Sequence, residues 1–459
     1  MMSNQERVSS SFRDPSGYLF KKNGILYRRV NLSYKQHYDK LISSGLFEKL
    51  VKEKKLVNHE EVSSDSGDET AYMLLRPSFV TFISYPYEWS FSQLKDAAIL
   101  TLEIQEEALN HGLTLKDANG FNITFSECAP IFIDTLSFER YVEGRPWIAY
   151  GQFCRHFLSP LLLMKHCDER LIKLLNTNLD GIPLDIASKL LPKRTYLSIA
   201  ILLHIHFHAM AVKKYGDANK KVEGGKMSLD GQRLLIRQLK NTIRSLKLNR
   251  KPDSVWKKYY QTKSYSDDQF EKKLSICRSF LTRYQPKLVW DLGCNTGQIC
   301  ALSASMKIPT IAVDNDHDSI EELYLNFRDK QFQIYPLYLD IVNQSPNCGW
   351  ASAERSSLND RGPAEMVFAM ALVHHLVIAN NILLLSVAEW FHLICSRYLA
   401  IEFVPKDDIQ VTRLLLNRED IFEAYEENKF REAFSTYFEI LETNPVLDSG
   451  RVIYLMQAK

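Results

Sequence analysis

One stretch of the sequence, VWDLGCNTGQ (residues 289–298), combines residue types that suit close contact with a polar ligand. Residues 288–291 are typical of a buried strand, and they run into a turn that holds Gly293, Asn295 and Gly297 before a helix begins. Glycine lets the backbone turn tightly and approach a ligand, and Asn295 tolerates the left-handed backbone angles of a middle glycine. Because the first N–H groups of a helix bind polar atoms, the turn predicts a nucleotide-type ligand site.

Two aspartates extend this pattern along the chain. The glycine spacing fails the G-x-G-x-x-G dinucleotide fingerprint, and no lysine follows Gly297 as a P-loop requires. What remains is D-L-G-x-x-x-G, with Asp314 ending the next apolar strand and Asp340 the one after it. A carboxylate at Asp314 can accept hydrogen bonds from both hydroxyls of a ribose, and Asp340 can accept one from an adenine amino group.

The region 252–459 resembles class I S-adenosylmethionine-dependent methyltransferases. VWDLGCNTG is similar to their first motif, AVDND to their acidic second-strand end, and YLDI to their adenine-side motif. The resemblance implies S-adenosyl-L-methionine as cofactor. It implies that Asp291, Gly293 and Gly297 line the methionine end, while Asp314 and Asp340 bind the ribose and the adenine. A doubly wound domain for another nucleotide, or for none, is the alternative.

Two adjacent histidines follow the fourth predicted strand. Methyl transfer from a sulfonium needs proximity and alignment, and it needs a general base only if the acceptor must lose a proton. His374 or His375 can serve as that base; the alternative is one histidine packed in the core and the other exposed. The sequence ALVHHL replaces the Asn/Asp-Pro-Pro-Tyr/Phe motif of amino-methylating nucleic-acid enzymes, which is evidence against an adenine-N6 or glutamine target.

Strands and helices alternate from residue 268 onward, so the elements that hold these residues form an α/β arrangement. Strands are predicted at 288–291, 310–314, 334–340, 365–371 and 398–404. This alternation predicts a Rossmann-like, doubly wound, mostly parallel sheet with its ligand beyond the carboxyl ends of the strands. Glu402 and Asp408, which leave the fifth strand, are candidate substrate contacts. The segment 256–273 is a candidate lid, with Trp256 and its tyrosines as stacking faces.

A second set of polar residues lies in the first half of the chain. Asp117 and Asn122 stand five apart after a predicted helix, and Asp134 ends the next apolar strand. The spacing resembles the catalytic loop and metal-binding segment of protein-kinase-like phosphotransferases, which implies Mg-ATP. The chain departs from that family: no glycine-rich loop is evident, and the phosphate-binding strand lysine is missing unless Arg28 or Arg29 replaces it. A plain turn rich in Asn and Gly is the alternative.

The length of 459 residues and a polar, irregular stretch near residue 251 predict two domains. Residues 1–250 are expected to form an α+β, kinase-like domain, with strands up to about residue 90 and helices after it. Residues 251–459 are expected to form the methyltransferase domain. Paired strands are predicted at 17–30, and two further strands with a hinge at 71–89.

Composition narrows the classes of partner. The 57 basic and 55 acidic residues give no global field that recruits nucleic acid or anionic lipid. The polar first residues predict a cytoplasmic protein, and eight cysteines without a CxxC pair predict reduced thiols and no metal site. The apolar run 196–212 contains His204, His206 and His208, so we expect a buried helix with core histidines instead of a membrane span or a metal site.

These observations predict an S-adenosylmethionine-dependent methyltransferase whose N-terminal domain recognises the acceptor. The whole-chain pattern, from SFRDPSGYLF through IDTLSFERY to NREDIF, is similar to bacterial methyltransferases that include nodulation-type proteins. That resemblance implies a small-molecule or carbohydrate-like acceptor. Two alternatives stay open: an S-adenosylmethionine-binding scaffold with a kinase-like pseudoenzyme half, or a bifunctional kinase-like methyltransferase. The sequence does not predict an oligomeric state.

Overall fold

The computed structural model describes residues 5–62, 69–211, 225–248, 266–416 and 419–459. Within these residues the chain forms two compact units. The first takes in the residues up to 125, 130–248 and 347–355, and the second takes in 126–129, 266–346 and the residues from 356 onward. The predicted domain boundary near residue 251 lies outside the described residues.

The first unit contains an antiparallel sheet and a set of helices. Its strands are β1 (Gln5–Arg7), β2 (Gly17–Lys22), β3 (Ile25–Asn31), β4 (His59–Val62), β5 (Ala71–Pro77), β6 (Leu113–Leu115), β7 (Ile123–Ser126), β8 (Ala129–Phe132) and β9 (Phe138–Arg140). Its helices are α1 (Lys35–Ser43), α2 (Leu46–Lys52), α3 (Phe91–Asn110), α4 (Tyr150–Phe153), α5 (Ser159–His166), α6 (Leu174–Thr177), α7 (Leu184–Leu190), α8 (Ile199–Ile201) and α9 (Leu229–Ser245).

Five strands form one antiparallel sheet in the order β1-β2-β3-β5-β4. Val30 and Leu75 of this sheet pack against Tyr34 and Tyr38 at the start of the following helices. The predicted strand pair at 17–30 is confirmed as β2 and β3. The predicted pair of strands at 71–89 is wrong, because only β5 forms there; the chain becomes irregular after Pro77, which cannot donate a backbone hydrogen bond.

Helix α3 carries the chain from the sheet to two small hairpins that hold the predicted polar residues. It begins with a capping box, in which the Ser90 N–H donates to Gln93 Oε1 over 3.0 Å. After α3, β6 pairs antiparallel with β9, and β7 pairs with β8. The unit is therefore α+β, as predicted.

A short segment that lies far along the chain also belongs to the first unit. Residues 347–355 follow the third strand of the second unit in sequence, but they contact residues of the first. Arg13 Nη2 donates to Glu354 Oε1 over 2.6 Å, and the Arg355 guanidinium lies 4.4 Å from the centre of the Phe121 ring. The first unit is therefore assembled from separate parts of the chain.

The second unit is built on one mixed sheet. Its strands are β10 (Val289–Leu292), β11 (Thr310–Asp314), β12 (Ile334–Tyr338), β13 (Ala364–Ala369), β14 (Cys395–Phe403), β15 (Phe438–Pro445) and β16 (Val452–Ala458). Its helices are α10 (Asp267–Tyr284), α11 (Gln298–Ser305), α12 (His317–Phe327), α13 (Leu384–Ile394), α14 (Ile409–Leu415) and α15 (Glu427–Ser435).

The strand order is β12-β11-β10-β13-β14-β16-β15. The first five strands of this order run parallel, and β16 is antiparallel to both β14 and β15. All four residues of β10 are buried, as expected where helices cover both faces of a parallel sheet. The predicted Rossmann-like, doubly wound fold is confirmed, and the five predicted strands correspond to β10–β14. The β15–β16 hairpin was not predicted.

The apolar run 196–212 does not form the expected buried helix. Its described part is helical from 199 to 211 and includes a π-helical turn, Leu202–Phe207. His204 and His206 are buried, so their assignment as core histidines is confirmed, but Leu203 and Phe207 each expose 48% of their surface. Ile201, Ile205 and Ala209 are buried beside these histidines, so one side of the helical segment packs inward and the other lies at the surface. Within the described part of the chain, no helix is long and apolar enough to cross a membrane.

Candidate functional site

The turn after β10 has the backbone conformation that its residue types predict. Gly293, Asn295 and Gly297 have φ values of 73°, 48° and 86°, all in the left-handed region. The Gly293 and Cys294 N–H groups donate to the Val313 carbonyl of β11 over 2.9 and 3.1 Å. These bonds hold the turn against the end of the neighbouring strand, and α11 begins directly after Gly297.

Asp314 ends β11 and binds the turn. Its carboxylate accepts hydrogen bonds from the Asn295 N–H over 2.8 Å and from the Asp316 N–H over 2.9 Å. Burial nevertheless raises the pKa of Asp314 to about 6, and the nearby Asp316 contributes to the rise. The backbone thus fixes the orientation of this carboxyl group without neutralising its charge.

Asp291 lies deeper in the same site. It is 2% exposed, and its Oδ2 accepts a hydrogen bond from the Cys300 thiol over 3.2 Å. Burial raises the pKa of Asp291 to about 7. No salt bridge reaches Asp291 or Asp314 from the described residues. Two desolvated carboxyl groups, close enough for the charge of Asp314 to raise the pKa of Asp291, therefore have no salt bridge from the described residues, an arrangement that occurs often at functional sites.

These residues face a cavity of about 650 Å³ at the carboxyl ends of the parallel strands. This volume lies in the range of small-molecule and cofactor sites. Of the residues predicted to bind cofactor, Asp291, Gly293, Asn295, Asp314 and Asp340 line it. Gly297 does not line it; a Cβ atom there would lie 2.7 Å from Leu323 Cδ1, on the side of α12. Asp340 accepts a hydrogen bond from the Val342 N–H over 2.9 Å.

The two candidate base residues have different positions. His375 lines the cavity, whereas His374 does not, although their ring centres are 4.2 Å apart. His374 is fully buried, and burial lowers its pKa well below the usual value. Burial also lowers the pKa of His375 to about 4. Both imidazoles are consequently neutral at physiological pH, and His375 is the one that a ligand in the cavity can reach.

A chain of buried charges reaches the cavity through Lys273. Lys273 of α10 lines the cavity and donates to Glu402 Oε2 over 2.9 Å. Glu402, in turn, lies 3.8 Å from Arg451 Nη1, and Arg451 Nε donates to Asp408 over 2.7 Å. Glu402 and Asp408, named from sequence as candidate substrate contacts, are thus occupied by basic side chains. Lys273 is the member of this network that borders the cavity.

The structure also brings together the three kinase-like residues of the first unit. Asp117 follows β6, and burial together with the charge of Asp134 raises its pKa. Asn122 Nδ2 donates to Ser137 Oγ over 3.2 Å, and the Ser137 hydroxyl donates to Asp134. Asp117, Asn122 and Asp134 therefore form one polar cluster.

Arg28 occupies this cluster from β3. Its guanidinium forms an ion pair with Asp134. Burial alone would raise the pKa of Asp134, but Arg28 and the Ser137 hydroxyl outweigh burial, and the net pKa is lowered. Arg29, one residue later, points to the other face and contacts Tyr18 and Thr70. Of the two arginines named from sequence, Arg28 is the one at the predicted kinase-like site.

Several cavity residues were not identified from the sequence. Phe270 and Lys273 come from α10, and Leu414 comes from α14. The spacing of Phe270 and Lys273 on one helical face was a usable signal, but nothing local connects them to the glycine turn.

The stacking residues proposed for a lid, Trp256, Tyr260 and Tyr265, lie outside the described residues. Within the described residues, no group of three or more His, Cys, Asp or Glu side chains is arranged to hold a metal ion.

Comparisons with known proteins give one strong similarity in sequence. No family model matches the chain. The nodulation protein NoeA of Rhizobium meliloti (strain 1021) is 32% identical over 461 residues, an alignment that covers 98% of this chain and 96% of NoeA.

Solved structures give weaker similarities. Magnesium protoporphyrin IX methyltransferase (ChlM) from Synechocystis PCC 6803, with bound SAM, aligns with 45% of this chain and 92% of its own at 13% identity and a TM-score of 0.33. The bifunctional kinase-methyltransferase WbdD aligns with 42% of this chain and 40% of its own at 15% identity and a TM-score of 0.30. At these TM-scores, neither structure identifies an activity for this chain.

Proposed function

The chain belongs to the family of the nodulation protein NoeA, and we propose that it is an S-adenosylmethionine-dependent methyltransferase. The observation that carries the proposal is the pair of buried carboxyl groups, Asp291 and Asp314, that face a cavity of about 650 Å³ beside a left-handed glycine turn. A cationic, hydroxyl-bearing ligand compensates the desolvation that raises the pKa of both groups.

The residues present fit this cofactor. Asp314 would accept hydrogen bonds from the ribose hydroxyls, because its carboxylate is already oriented by two backbone N–H groups. Asp340 would bind at the adenine side. Asp291 and Gly293 would border the methionine end, and the Asp291 carboxylate would lie near positive charge. When bound, S-adenosylmethionine supplies a methyl group activated by its sulfonium sulfur.

His375 is the proposed general base for an acceptor that must lose a proton. It lines the cavity, and it is neutral at physiological pH because burial lowers its pKa to about 4. Replacing it with glutamine should reduce turnover to S-adenosylhomocysteine by roughly 10²- to 10⁴-fold, the usual contribution of a positioned base. Cofactor affinity should hold, and His374→Gln, which alters a histidine outside the cavity, is the matched control.

The acceptor is proposed to be a small or carbohydrate-like molecule that enters beside His375, Leu376 and Leu414. The name of the NoeA relative associates that protein with nodulation, and the composition of this chain gives no basic field for nucleic acid. A cavity of this size admits a sugar-sized group next to a cofactor more readily than a folded macromolecule.

The first experiment is a calorimetric titration of the purified protein with S-adenosylmethionine and S-adenosylhomocysteine. Micromolar or tighter binding of both supports the proposal. Asp314→Asn, which keeps the shape but removes the acceptor charge, should weaken binding on the order of 100-fold. Asp329→Asn, at an exposed carboxylate of the same unit, is the control. Unchanged affinity in Asp314→Asn would contradict the assignment of the site.

A second proposal concerns the first unit, which we assign to acceptor recognition and not to phosphoryl transfer. Asp134 forms an ion pair with the Arg28 guanidinium, at the position where the kinase-like resemblance implies a bound magnesium ion. Thermal-shift titrations with ATP should therefore show no magnesium-dependent stabilisation. A magnesium-dependent shift that Asp134→Asn removes would instead establish a nucleotide site and favour a bifunctional enzyme.

A further inference from the structure

The wall of the cavity in the second unit has two unlike sides. Asp291, Asp314 and Asp340, which belong to or follow β10, β11 and β12, line one of them, the acidic side. In the strand order, β13 and β14 lie on the other side of β10. There the wall is formed by the π-helical turn His375–Ala379 after β13 and by α14 after β14, and these two elements contact each other. The cofactor proposed for the cavity accounts for the acidic side alone.

The second side of the wall presents apolar side chains to the cavity, and we call it the apolar side. Leu376 and Ala379 line it from the π-helical turn, and Leu414 lines it from α14. Leu376 is buried, and the other two side chains are half-buried. A ligand with an apolar surface gains free energy by covering these side chains, because the contact removes both surfaces from water.

Helix α10 completes the apolar side with Phe270 and Leu274. It reaches this part of the sheet because Lys273, which lies between them in sequence, donates to Glu402 of β14 over 2.9 Å. The ammonium group that borders the apolar side is thus balanced by a buried carboxylate of the protein, in contrast to the carboxylates of the acidic side.

Few hydrogen-bonding side chains of the described residues face the apolar side. Asn380 Nδ2 donates to the His375 carbonyl over 2.8 Å, Lys273 donates to Glu402, and residues 266–267 are exposed at the start of α10. A sugar carries a hydroxyl on most of its ring carbons, and each buried hydroxyl that lacks a hydrogen-bond partner is unfavourable. The described wall therefore suits a ligand with an apolar surface and one hydroxyl better than a polyhydroxylated ligand.

The basicity of His375 favours an acidic hydroxyl. His375 lines the cavity at the start of the π-helical turn, and burial lowers its pKa to about 4, so the imidazole is neutral and weakly basic. A phenol has a pKa of roughly 10, as the tyrosine side chain does. An aliphatic hydroxyl lies near the value for water, roughly 16. A weak base removes the proton of a phenol more readily, so a phenolic hydroxyl is the closer match to His375.

We propose that the methyl acceptor is a phenol whose aromatic ring lies against the π-helical turn and α14 and whose hydroxyl lies at His375. In the transfer, the phenolic oxygen forms a bond to the methyl carbon, and the bond from that carbon to the sulfonium sulfur breaks with its electron pair left on sulfur. The hydroxyl proton passes to His375 and then to water. The inference rests on the proposed function and narrows its acceptor from a small or carbohydrate-like molecule to an aromatic one.

The first test is the binding of 2-naphthol, followed by its fluorescence, to the protein saturated with S-adenosylhomocysteine. With the acidic side occupied, a naphthol in the cavity must lie against the apolar side. We expect saturable binding that Leu414→Asn weakens by roughly tenfold through lost apolar contact, with S-adenosylhomocysteine affinity unchanged. Leu414→Met, which conserves volume, should retain binding. Leu416→Asn, two residues further on and 71% exposed, is the matched control.

The second test is methyl transfer, measured as S-adenosylhomocysteine formed from S-adenosylmethionine. The three acceptors compared are 2-naphthol, its saturated analogue decahydro-2-naphthol, and glucose. Decahydro-2-naphthol keeps the apolar surface but lacks the acidic hydroxyl, and glucose lacks both. We expect transfer to 2-naphthol to be at least about tenfold faster than transfer to either of the others.

Three results would overturn the inference: 2-naphthol does not bind, Leu414→Asn leaves its binding unchanged, or transfer to 2-naphthol is no faster than transfer to the other two compounds. Each of these results is compatible with bound S-adenosylhomocysteine and leaves the cofactor site in place. A protein that does not bind S-adenosylhomocysteine would instead contradict the proposed function, and the inference would fall with it.

Discussion

Aspartates follow strands in both units, but their charges are balanced in different ways. In the second unit, Asp291 and Asp314 face a cavity with raised pKa values and no salt bridge from the described residues. In the first unit, Asp134 has a lowered pKa because the Arg28 guanidinium and the Ser137 hydroxyl bind its carboxylate. The same residue type at the end of a strand is thus left for a ligand in one unit and neutralised by the chain in the other.

This difference indicates how a ligand site can be distinguished from a structural polar cluster. Residue spacing brings the expected side chains together in both units. Among the described residues, the second unit has two desolvated aspartates that face a cavity, whereas in the first unit Arg28 pairs with Asp134, and the pKa of Asp117 is raised by burial and by the charge of Asp134. The electrostatic state of the carboxylates, more than their proximity, distinguishes the cavity of the second unit from the polar cluster of the first, and four measurements test this difference.

The largest expected effect is the pH dependence of cofactor affinity. Asp314, with a pKa of about 6, must be ionised to accept hydrogen bonds from both ribose hydroxyls. Affinity should therefore rise with pH and fall by roughly tenfold per pH unit below pH 6, or about a hundredfold by pH 4. Titrations of S-adenosylhomocysteine across this range would measure it. The slope should become shallower in Asp314→Asn, with the remainder due to Asp291, whose pKa is raised to about 7; a wild-type profile as shallow as that of the variant would show that the Asp314 carboxylate does not bind the ligand.

The next effect is on stability in the first unit. Arg28→Met should lower the free energy of unfolding by about 2 kcal/mol, because the pair is only 13% and 16% exposed and Asp134 would be left without its cation. Combining it with Asp134→Asn should restore most of the loss. The control is Arg76→Met, which breaks the exposed pair with Glu60 and should cost less than about 0.5 kcal/mol. Equal losses in thermal unfolding for both arginines would deny a special role to Arg28.

A smaller effect concerns two glycines: Gly297 of the turn after β10, and Gly120 of the loop that holds Asp117 and Asn122. Gly297 has a φ of 86°, and a Cβ atom would meet Leu323, so Gly297→Ala should cost about 1–2 kcal/mol and weaken cofactor binding. Gly120 of the kinase-like loop does not have a positive φ, and its Cβ would lie 3.0 Å from Pro86 Cγ. We expect a loss below about 1 kcal/mol for Gly120→Ala and no change in cofactor affinity. A larger loss for Gly120→Ala than for Gly297→Ala would mean that the turn of Gly297 tolerates a side chain better than the loop of Gly120.

The smallest effect has the opposite sign. The folded-state pKa of Asp291 is raised to about 7, so ionisation destabilises the fold increasingly as pH rises from about 4 to 7. Asp291→Asn should then be more stable than the wild type at pH 8 by about 1 kcal/mol, since water in the cavity screens part of the penalty. Below pH 4 the difference should vanish. Thermal unfolding at the two pH values would check this, and a less stable variant at pH 8 would be inconsistent with an unpaired carboxylate.

Local features of the second unit were predictable because they depend on residue type and periodicity. The five parallel strands follow from apolar runs separated by helices, and the left-handed angles at Gly293, Asn295 and Gly297 follow from their identity. The β15–β16 hairpin was missed. The burial of β15 alternates, and it includes exposed positions of an edge strand, so it lacks the continuous apolar run of the parallel strands.

Features that depend on which face of an element turns inward were not predictable. Arg28 and Arg29 are adjacent in β3, and only the phase of the strand decides which one reaches Asp134. The run 196–212 is apolar around most of the helix, so its hydrophobicity does not predict that His204 and His206 are buried while Leu203 and Phe207 are exposed. The cavity wall contributed by Lys273 and Leu414 comes from helices distant in sequence, so no local pattern marked it.

Because residues 347–355 belong to the first unit, the gene cannot be divided into the two units by a single cut. A cut near codon 250 would appear to separate two complete domains, yet the N-terminal product would lack Glu354 and Arg355, the partners of Arg13 and Phe121. A recombination event that exchanged only the second half would likewise replace nine residues of the first unit. The two halves are therefore expected to be inherited together, and single breakpoints near codon 250 should be rare in this family.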